Sequence, residues 1–168
     1  MLFSVSRSKV LGACFAISAS MLVACGNNPI APAPIIDPAQ ATYATSLGID
    51  LTQFTKTSSG LYYRDEPAGL GTAADSGDTV SVDYVGRFTN GSRFDCSRCS
   101  ADQTFSFVLG VGKVIKGWDE GVKGMRIGGK RRLIVPPSLG YGELGSGSIP
   151  GNTILVFDIT LYGVGKAT

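Results

Sequence analysis

The sequence predicts an α+β fold, an antiparallel β-sheet of about five strands curled around one short α-helix. From Gly60 onward, several short segments alternate apolar and polar residues with a period of two, the mark of half-buried strands. One stretch alone, Val114 to Lys123, repeats its apolar residues at helical spacing, and a lone short helix must dock on the apolar face of the strands. The chain also holds 23 glycines in 168 residues, a supply of tight turns that suits a sheet-rich fold better than a helical bundle.

In chain order, residues 1–24 read as a bacterial secretory signal. Arg7 and Lys9 give a positive start, and Val10 to Val23 is apolar apart from Ser18, Ser20 and small residues. Those 14 positions fall short of the roughly 20 that a membrane-spanning helix needs. Leu22-Val23-Ala24-Cys25 looks like a lipobox, which implies cleavage before Cys25 and acylation of that residue. Several acyl chains attach a protein firmly where a single one does not. The competing readings are an ordinary signal peptide, or an uncleaved anchor, that ends in cysteine. Gly26 stands where aspartate would redirect sorting, so in a Gram-negative cell the expected location is the outer membrane. The chain would then sit at the cell envelope, anchored to the membrane by lipid and facing the periplasm.

Residues 25–42 are expected to form the lipidated cysteine and a proline-rich tether. Pro29, Pro32, Pro34 and Pro38 are half of the chain's 8 prolines, and such a segment favours extended polyproline-like conformations at about 3.1 Å per residue. Residues 43–59 form an N-terminal extension whose pattern does not decide between a short helix and a strand.

Residues 60–168 carry the predicted domain. Gly60 to Arg64 reads as a short strand. Val80, Val82, Tyr84 and Phe88 alternate with Ser81, Asp83 and Arg87. Asn90-Gly91 is a strong hairpin signal that returns the chain toward Arg93 and Phe94. Phe105, Phe107 and Leu109 alternate again. Arg131 to Val135 is a strand ended by Pro136-Pro137, since proline supplies no ladder donor. Thr153 to Tyr162 is the longest strand, with Leu155, Phe157, Ile159 and Leu161 on one face. In the helix, Ile115, Trp118 and Val122 form the apolar side, while Gly117 and Gly121 each weaken it by about 1 kcal/mol relative to alanine.

Composition excludes several functions. The chain contains no histidine, which removes histidine-based acid–base catalysis and histidine metal sites. The formal charge of +2 includes Arg7 and Lys9; without them 13 basic residues balance 13 acidic ones. Nonspecific nucleic-acid binding needs a basic surface and is not expected. Gly124 to Lys130 approaches a nucleotide-binding Walker A loop, but Arg131 stands where Ser or Thr is required and a strand follows instead of a helix. Lys130-Arg131-Arg132 reads as a solvated strand edge. No metal or cofactor is expected. No long helical segment is present to dimerise the chain, so a monomer is expected.

Several blocks resemble the FKBP-type peptidyl-prolyl cis-trans isomerases in order and spacing. They are Val82-Asp83-Tyr84-Val85-Gly86, then Asn90-Gly91 with Arg93-Phe94-Asp95, then Phe105-Ser106-Phe107-Val108-Leu109-Gly110. Val114-Ile115-Lys116-Gly117-Trp118-Asp119-Glu120-Gly121-Val122 follows, then Val135-Pro136, Tyr141-Gly142, Ile149-Pro150 and Leu155-Val156-Phe157-Asp158. The resemblance runs from about Gly60 to Val164 and implies an FKBP-like fold with a hydrophobic proline pocket. It makes Trp118 the floor, and Tyr84, Phe94, Phe105, Val114, Ile115 and Phe157 the walls. Asp95 and Tyr141 become polar groups at the rim, with the Ile115 N–H a donor to the substrate carbonyl. The catalytic groups implied are thus Tyr84, Asp95, Ile115 and Tyr141. The substrate-binding ones are Phe94, Phe105, Val114, Trp118, Ile149 and Phe157. Without the resemblance, these aromatics read as ordinary core, as Phe107 and Leu155 still do.

The implied activity is isomerisation of X–Pro bonds in unfolded or flexible segments of exported proteins, with macrolides such as rapamycin as inhibitors. A proline-peptide binding module or chaperone, using the same pocket without turnover, is the alternative. The chain departs from the family pattern twice. Gly140 to Ser148 holds four glycines in nine residues; it is about one residue short and lacks the usual histidine–proline pair. Cys96-Ser97-Arg98-Cys99 follows Asp95 in a segment one residue longer than usual. In an oxidising compartment Cys96 and Cys99 should bridge. A stiffening disulfide, a redox switch on substrate access, free thiols and a poor metal site all remain open readings of that pair.

Overall fold

The period-two segments fold as one sheet in the computed structural model, which describes residues 36–99 and 103–166. The signal segment, Cys25 and the tether up to residue 35 lie outside the described residues. In chain order the elements are β1 (Thr55–Lys56), β2 (Tyr62–Asp65), β3 (Asp78–Phe88), β4 (Arg93–Cys96), β5 (Phe105–Val108), α1 (Lys116–Gly121), β6 (Lys130–Val135) and β7 (Leu155–Lys166). The described residues thus hold seven strands where about five are expected. The surplus is β1 and β4. A strand of two residues has no period to read, and the four residues of β4 alternate only Phe94 and Cys96 against Arg93 and Asp95.

All pairings are antiparallel, in the order β1-β2-β6-β7-β3-β4, with β5 also on β3. One edge of β3 is shared in succession. Thr79 to Val82 pair with β5, and Val85 to Arg87 pair with β4. The other edge runs along β7 from Asp78↔Lys166 to Phe88↔Leu155, with a bulge between Ser81 and Val82. The hairpin after β3 uses its Asn-Gly pair as the last two of three loop residues. The Gly91 N–H donates to the Phe88 carbonyl, and Gly91 takes a φ of 86°, the left-handed conformation that glycine adopts without strain.

The main core lies between the sheet and α1. Val80, Val82, Leu133, Val135, Leu155, Phe157, Ile159 and Leu161 bury against Trp118, Val122 and Met125. The helix is shorter than the Val114–Lys123 span predicted. Val114 and Ile115 stay outside it, Ile115 being extended (φ −60°, ψ 150°) with its carbonyl accepting the N–H groups of Trp118 and Asp119. Gly117 and Gly121 have a reason in packing. A Cβ on Gly117 would lie 2.6 Å from Val135 Cγ1, and one on Gly121 would lie 2.6 Å from Leu133 Cδ1. Helix propensity is given up so that α1 can approach β6 closely.

A second, smaller cluster joins Tyr62, Ile134 and Ile154 to Ile36, Ala41, Tyr43, Ile49, Leu51 and Phe54. The extension makes 3-10 turns at Pro38–Gln40, Thr45–Leu47 and Leu51–Gln53, and only β1 as strand. Residues 36–42, at the end of the segment read as tether, belong to this packed layer, with Pro38 buried.

Lys130-Arg131-Arg132 is not a solvated edge. Strand β6 is interior, flanked by β2 and β7. The Arg131 side chain is 10% exposed and grips Asp65 with two bonds, Nε to Oδ1 at 2.7 Å and Nη2 to Oδ2 at 3.0 Å. Its Nη1 donates to the carbonyls of Gly121, the last residue of the helix, and of Lys123 just past it. Arg132 donates to Asp158 at 2.6 Å and to the Leu47 carbonyl at 2.7 Å, tying the extension to the sheet. Sequence alone shows three cations in a row; pairing with carboxylates from other strands is what allows two of them inside.

Candidate active site

Trp118 enters the core from the first turns of α1 and is 4% exposed. Four aromatic rings surround its indole: Tyr84 at 4.9 Å, Phe157 at 5.3 Å, Phe107 at 5.7 Å and Phe105 at 6.1 Å between centroids. Tyr84, Phe105 and Phe157 meet it nearly edge-on, the arrangement that the aromatic quadrupole favours. Strands β3, β5 and β7 supply these rings, so sheet pairing fixes their spacing. The core is left open here as a cavity of about 220 Å³, lined by Tyr84, Asp95, Phe105, Lys113, Val114, Ile115, Trp118, Tyr141 and Phe157.

The Tyr84 hydroxyl donates to Asp95 Oδ2 at 2.7 Å, and the Cys96 N–H donates to Oδ1 at 2.8 Å. Burial, then the bond to Asp95, pushes the Tyr84 hydroxyl well above its ordinary pKa. Tyr141 is raised too, by burial first and then by the Asp95 charge. Both phenols therefore stay protonated near neutral pH; Tyr84 commits its one O–H to Asp95, and Tyr141 keeps its O–H as a donor at the cavity. The Ile115 N–H is engaged by no group among the described residues. The Trp118 Nε1 is buried and likewise without a hydrogen-bond partner among them.

Residues 71–162 match the family model of the FKBP-type peptidyl-prolyl cis-trans isomerases. The chain belongs to that family. FK506-binding protein 2 of Dictyostelium discoideum is 49% identical over 106 residues, covering 62% of this chain and 77% of that one. FK506-binding protein 4 of Mycosarcoma maydis is 50% identical over 107 residues, covering 64% of this chain and 28% of that protein. This FKBP-type chain thus spans under a third of the Mycosarcoma relative's length. Among solved structures, FkpA from Escherichia coli matches with a TM-score of 0.66 and 39% identity, covering 74% of this chain and 56% of that one.

Eight of the ten residues named from sequence for the FKBP pocket line the cavity: Tyr84, Asp95, Phe105, Val114, Ile115, Trp118, Tyr141 and Phe157. Phe94 and Ile149 do not. Phe94 packs tilted against Phe88 at 4.9 Å and edge-on against Phe157 at 5.6 Å, supporting a wall one ring removed from the cavity. Gly86 makes room for it, since a Cβ there would lie 2.7 Å from Phe94 Cζ and 3.0 Å from Phe157 Cε1. Ile149 is half-buried against the core edge. Its loop closes on itself, with Ser146 and Ile149 exchanging backbone hydrogen bonds, and only Tyr141 of that loop lines the cavity.

Cys96 and Cys99 are joined as a disulfide with Cα atoms 5.4 Å apart, within the usual span. Inside this ring, Ser97 holds Tyr84 twice: its N–H donates to the Tyr84 carbonyl at 3.2 Å, and its Oγ accepts the Tyr84 N–H at 3.0 Å. Two other functional positions have no sequence signal of their own. Lys113 lines the cavity, and the Asp119 carboxylate accepts the N–H groups of Gly110 and Gly112 at 2.8 and 2.9 Å, fixing the loop before Lys113. Their places next to Val114 and Trp118 were the available hint. Among the described residues, no group of three or more His, Cys, Asp or Glu side chains could hold a metal.

Proposed function

We propose that the chain isomerises X–Pro peptide bonds in unfolded or flexible segments of exported proteins, as a lipid-anchored monomer at the cell envelope. The observation that carries the activity is the cavity on the Trp118 floor, walled by aromatics and bordered by an Ile115 N–H that no group among the described residues engages. The barrier to X–Pro rotation, roughly 18–20 kcal/mol, is lost amide resonance. At the twisted midpoint the carbonyl oxygen carries less charge and the nitrogen becomes pyramidal. An apolar cavity disfavours the polar planar amide more than the twisted one, and the Ile115 N–H anchors a neighbouring carbonyl while the bond turns. Binding of the twisted form is the whole catalysis, and no covalent step is required.

The test is protease-coupled isomerisation of short X–Pro peptides by the detergent-solubilised full chain, with rapamycin as competitor. Acceleration that rapamycin blocks is expected. A folded chain that binds such peptides without accelerating them would instead be the proline-peptide binding module or chaperone. The envelope location rests on the Leu22 to Cys25 lipobox. Radiolabelled palmitate should enter the wild-type chain and not Cys25→Ser; equal labelling of both would defeat the anchor. Light scattering should give the mass of one chain.

A further inference from the structure

Lys113 stands in the cavity lining, and the isomerisation chemistry above makes no use of it. It is exposed, and it forms no ion pair or hydrogen bond among the described residues. Its backbone is nonetheless held. The Asp119 carboxylate binds the amides of Gly110 and Gly112, and both glycines take left-handed φ values of 80° and 72°. The chain bends at Val114, extended Ile115 leads into α1, and exposed Lys116 follows. The wall made by residues 113–115 therefore carries one lysine, and Lys116 lies just past it, outside the lining. The carboxylate on the β4 side of the cavity, Asp95, is already occupied by the Tyr84 hydroxyl and the Cys96 N–H. Of the two charged side chains that line the cavity, Asp95 and Lys113, Lys113 is the one that no hydrogen bond or ion pair among the described residues engages.

We infer that Lys113 is a specificity-determining residue, and that the pocket prefers X–Pro segments carrying a carboxylate one or two residues from the proline. This rests on the isomerase reading, in which the Ile115 N–H anchors a substrate carbonyl. An extended chain advances about 3.3 Å per residue, so a peptide lying along residues 113–115 brings a side chain one or two positions from that carbonyl within reach of the Lys113 ammonium. A single solvent-exposed ion pair changes affinity by about 1.5- to 5-fold and weakens with salt.

The experiment compares peptides with Glu, Leu or Lys at each of the two positions on either side of proline, using the full chain. Two readouts are taken: kcat/KM for isomerisation, and Kd from the fluorescence of Trp118, the chain's only tryptophan. At about 20 mM salt, Glu should exceed Lys by about 2- to 5-fold at one position, and the gap should close near about 1 M salt. Lys113→Gln should abolish the gap and Lys113→Glu should invert it, while Lys116→Gln should leave most of it. Equal values for Glu and Lys peptides, or a preference that survives Lys113→Gln, overturns the assignment even if every peptide is turned over. A charge preference in Kd without any turnover sinks the isomerase reading and keeps the assignment. No binding and no turnover overturns both.

Discussion

Trp118 is surrounded by aromatic rings on one side and the cavity on the other, and its Nε1 donates to nothing among the described residues. What the residue contributes is therefore shape and apolar area. Trp118→Phe gives up no hydrogen bond and loses only ring volume at a site already open, so it should cost roughly 1–2 kcal/mol in urea unfolding. Trp118→Ala should cost about 3–5 kcal/mol, as large-to-small core changes do, and it should abolish both isomerisation and peptide binding. A Trp118→Phe loss as large as that of Trp118→Ala would mean that the indole N–H matters. At this scale the sequence was legible where a side chain is both aromatic and in a recognisable block. Tyr84, Phe105 and Phe157 alternate along strands as core residues do, and only the resemblance says that the core opens there. Lys113 and Asp119 were illegible because their roles come from a cavity wall and two distant amides, which no local spacing reveals.

Helix α1 shows propensity yielding to packing. On propensity alone, Gly121→Ala should stabilise a helix by about 1 kcal/mol. Here the new Cβ would meet Leu133 Cδ1 at 2.6 Å, Leu133 Cδ2 at 2.7 Å and Leu61 Cδ2 at 3.2 Å. Overpacking of this kind costs about 1–3 kcal/mol. Gly121→Ala is therefore expected to lower the denaturation midpoint, and a raised midpoint would show that Leu133 yields freely. The strands were legible from their periods, because β3 and β7 bury one face and leave the other in contact with polar neighbours. Strand β6 was found but its arginines were misjudged. A run of cations gives no hint of Asp65 and Asp158, each more than 20 residues away in sequence and adjacent only through strand pairing. The Cys96–Cys99 ring illustrates the same limit: the sequence leaves the pair open between a disulfide, free thiols and a metal site, and gives no sign of the grip of Ser97 on the Tyr84 backbone.

Across the whole domain, a buried carboxylate ties the start of β3 to the end of neighbouring β7. Asp78, 2% exposed, opens β3 and accepts from Lys166 Nζ at the end of β7 and from the Asp75 N–H. The Lys166 bond first, and then the Asp75 amide, hold its pKa below the ordinary carboxylate value. A depressed folded pKa contributes stability that is present above the unfolded value of about 3.9 and is lost as pH falls through the folded one. Urea midpoints should therefore drop in acid, and Asp78→Asn should drop less steeply below about pH 4; parallel profiles would remove Asp78 from the cause. The overall plan, a sheet around one helix, was legible because its longest strands and helix α1 have clear periods. The layer built by Ile36 to Phe54 was not, since 3-10 turns lack one. The pairing order has a further consequence, for aggregation. Strands β7 and β6 have neighbours on both sides, and β3 is covered by β7 on one side and by β5 and β4 on the other. Among the described residues, what remains open is two-residue β1, the outer end of β2, and the outer sides of β4 and β5, four residues each. Free strand edges are templates for another chain's backbone, and short ones are poor templates. Under the proposed function the chain meets many unfolded segments, and this sheet would give them little length to zip onto.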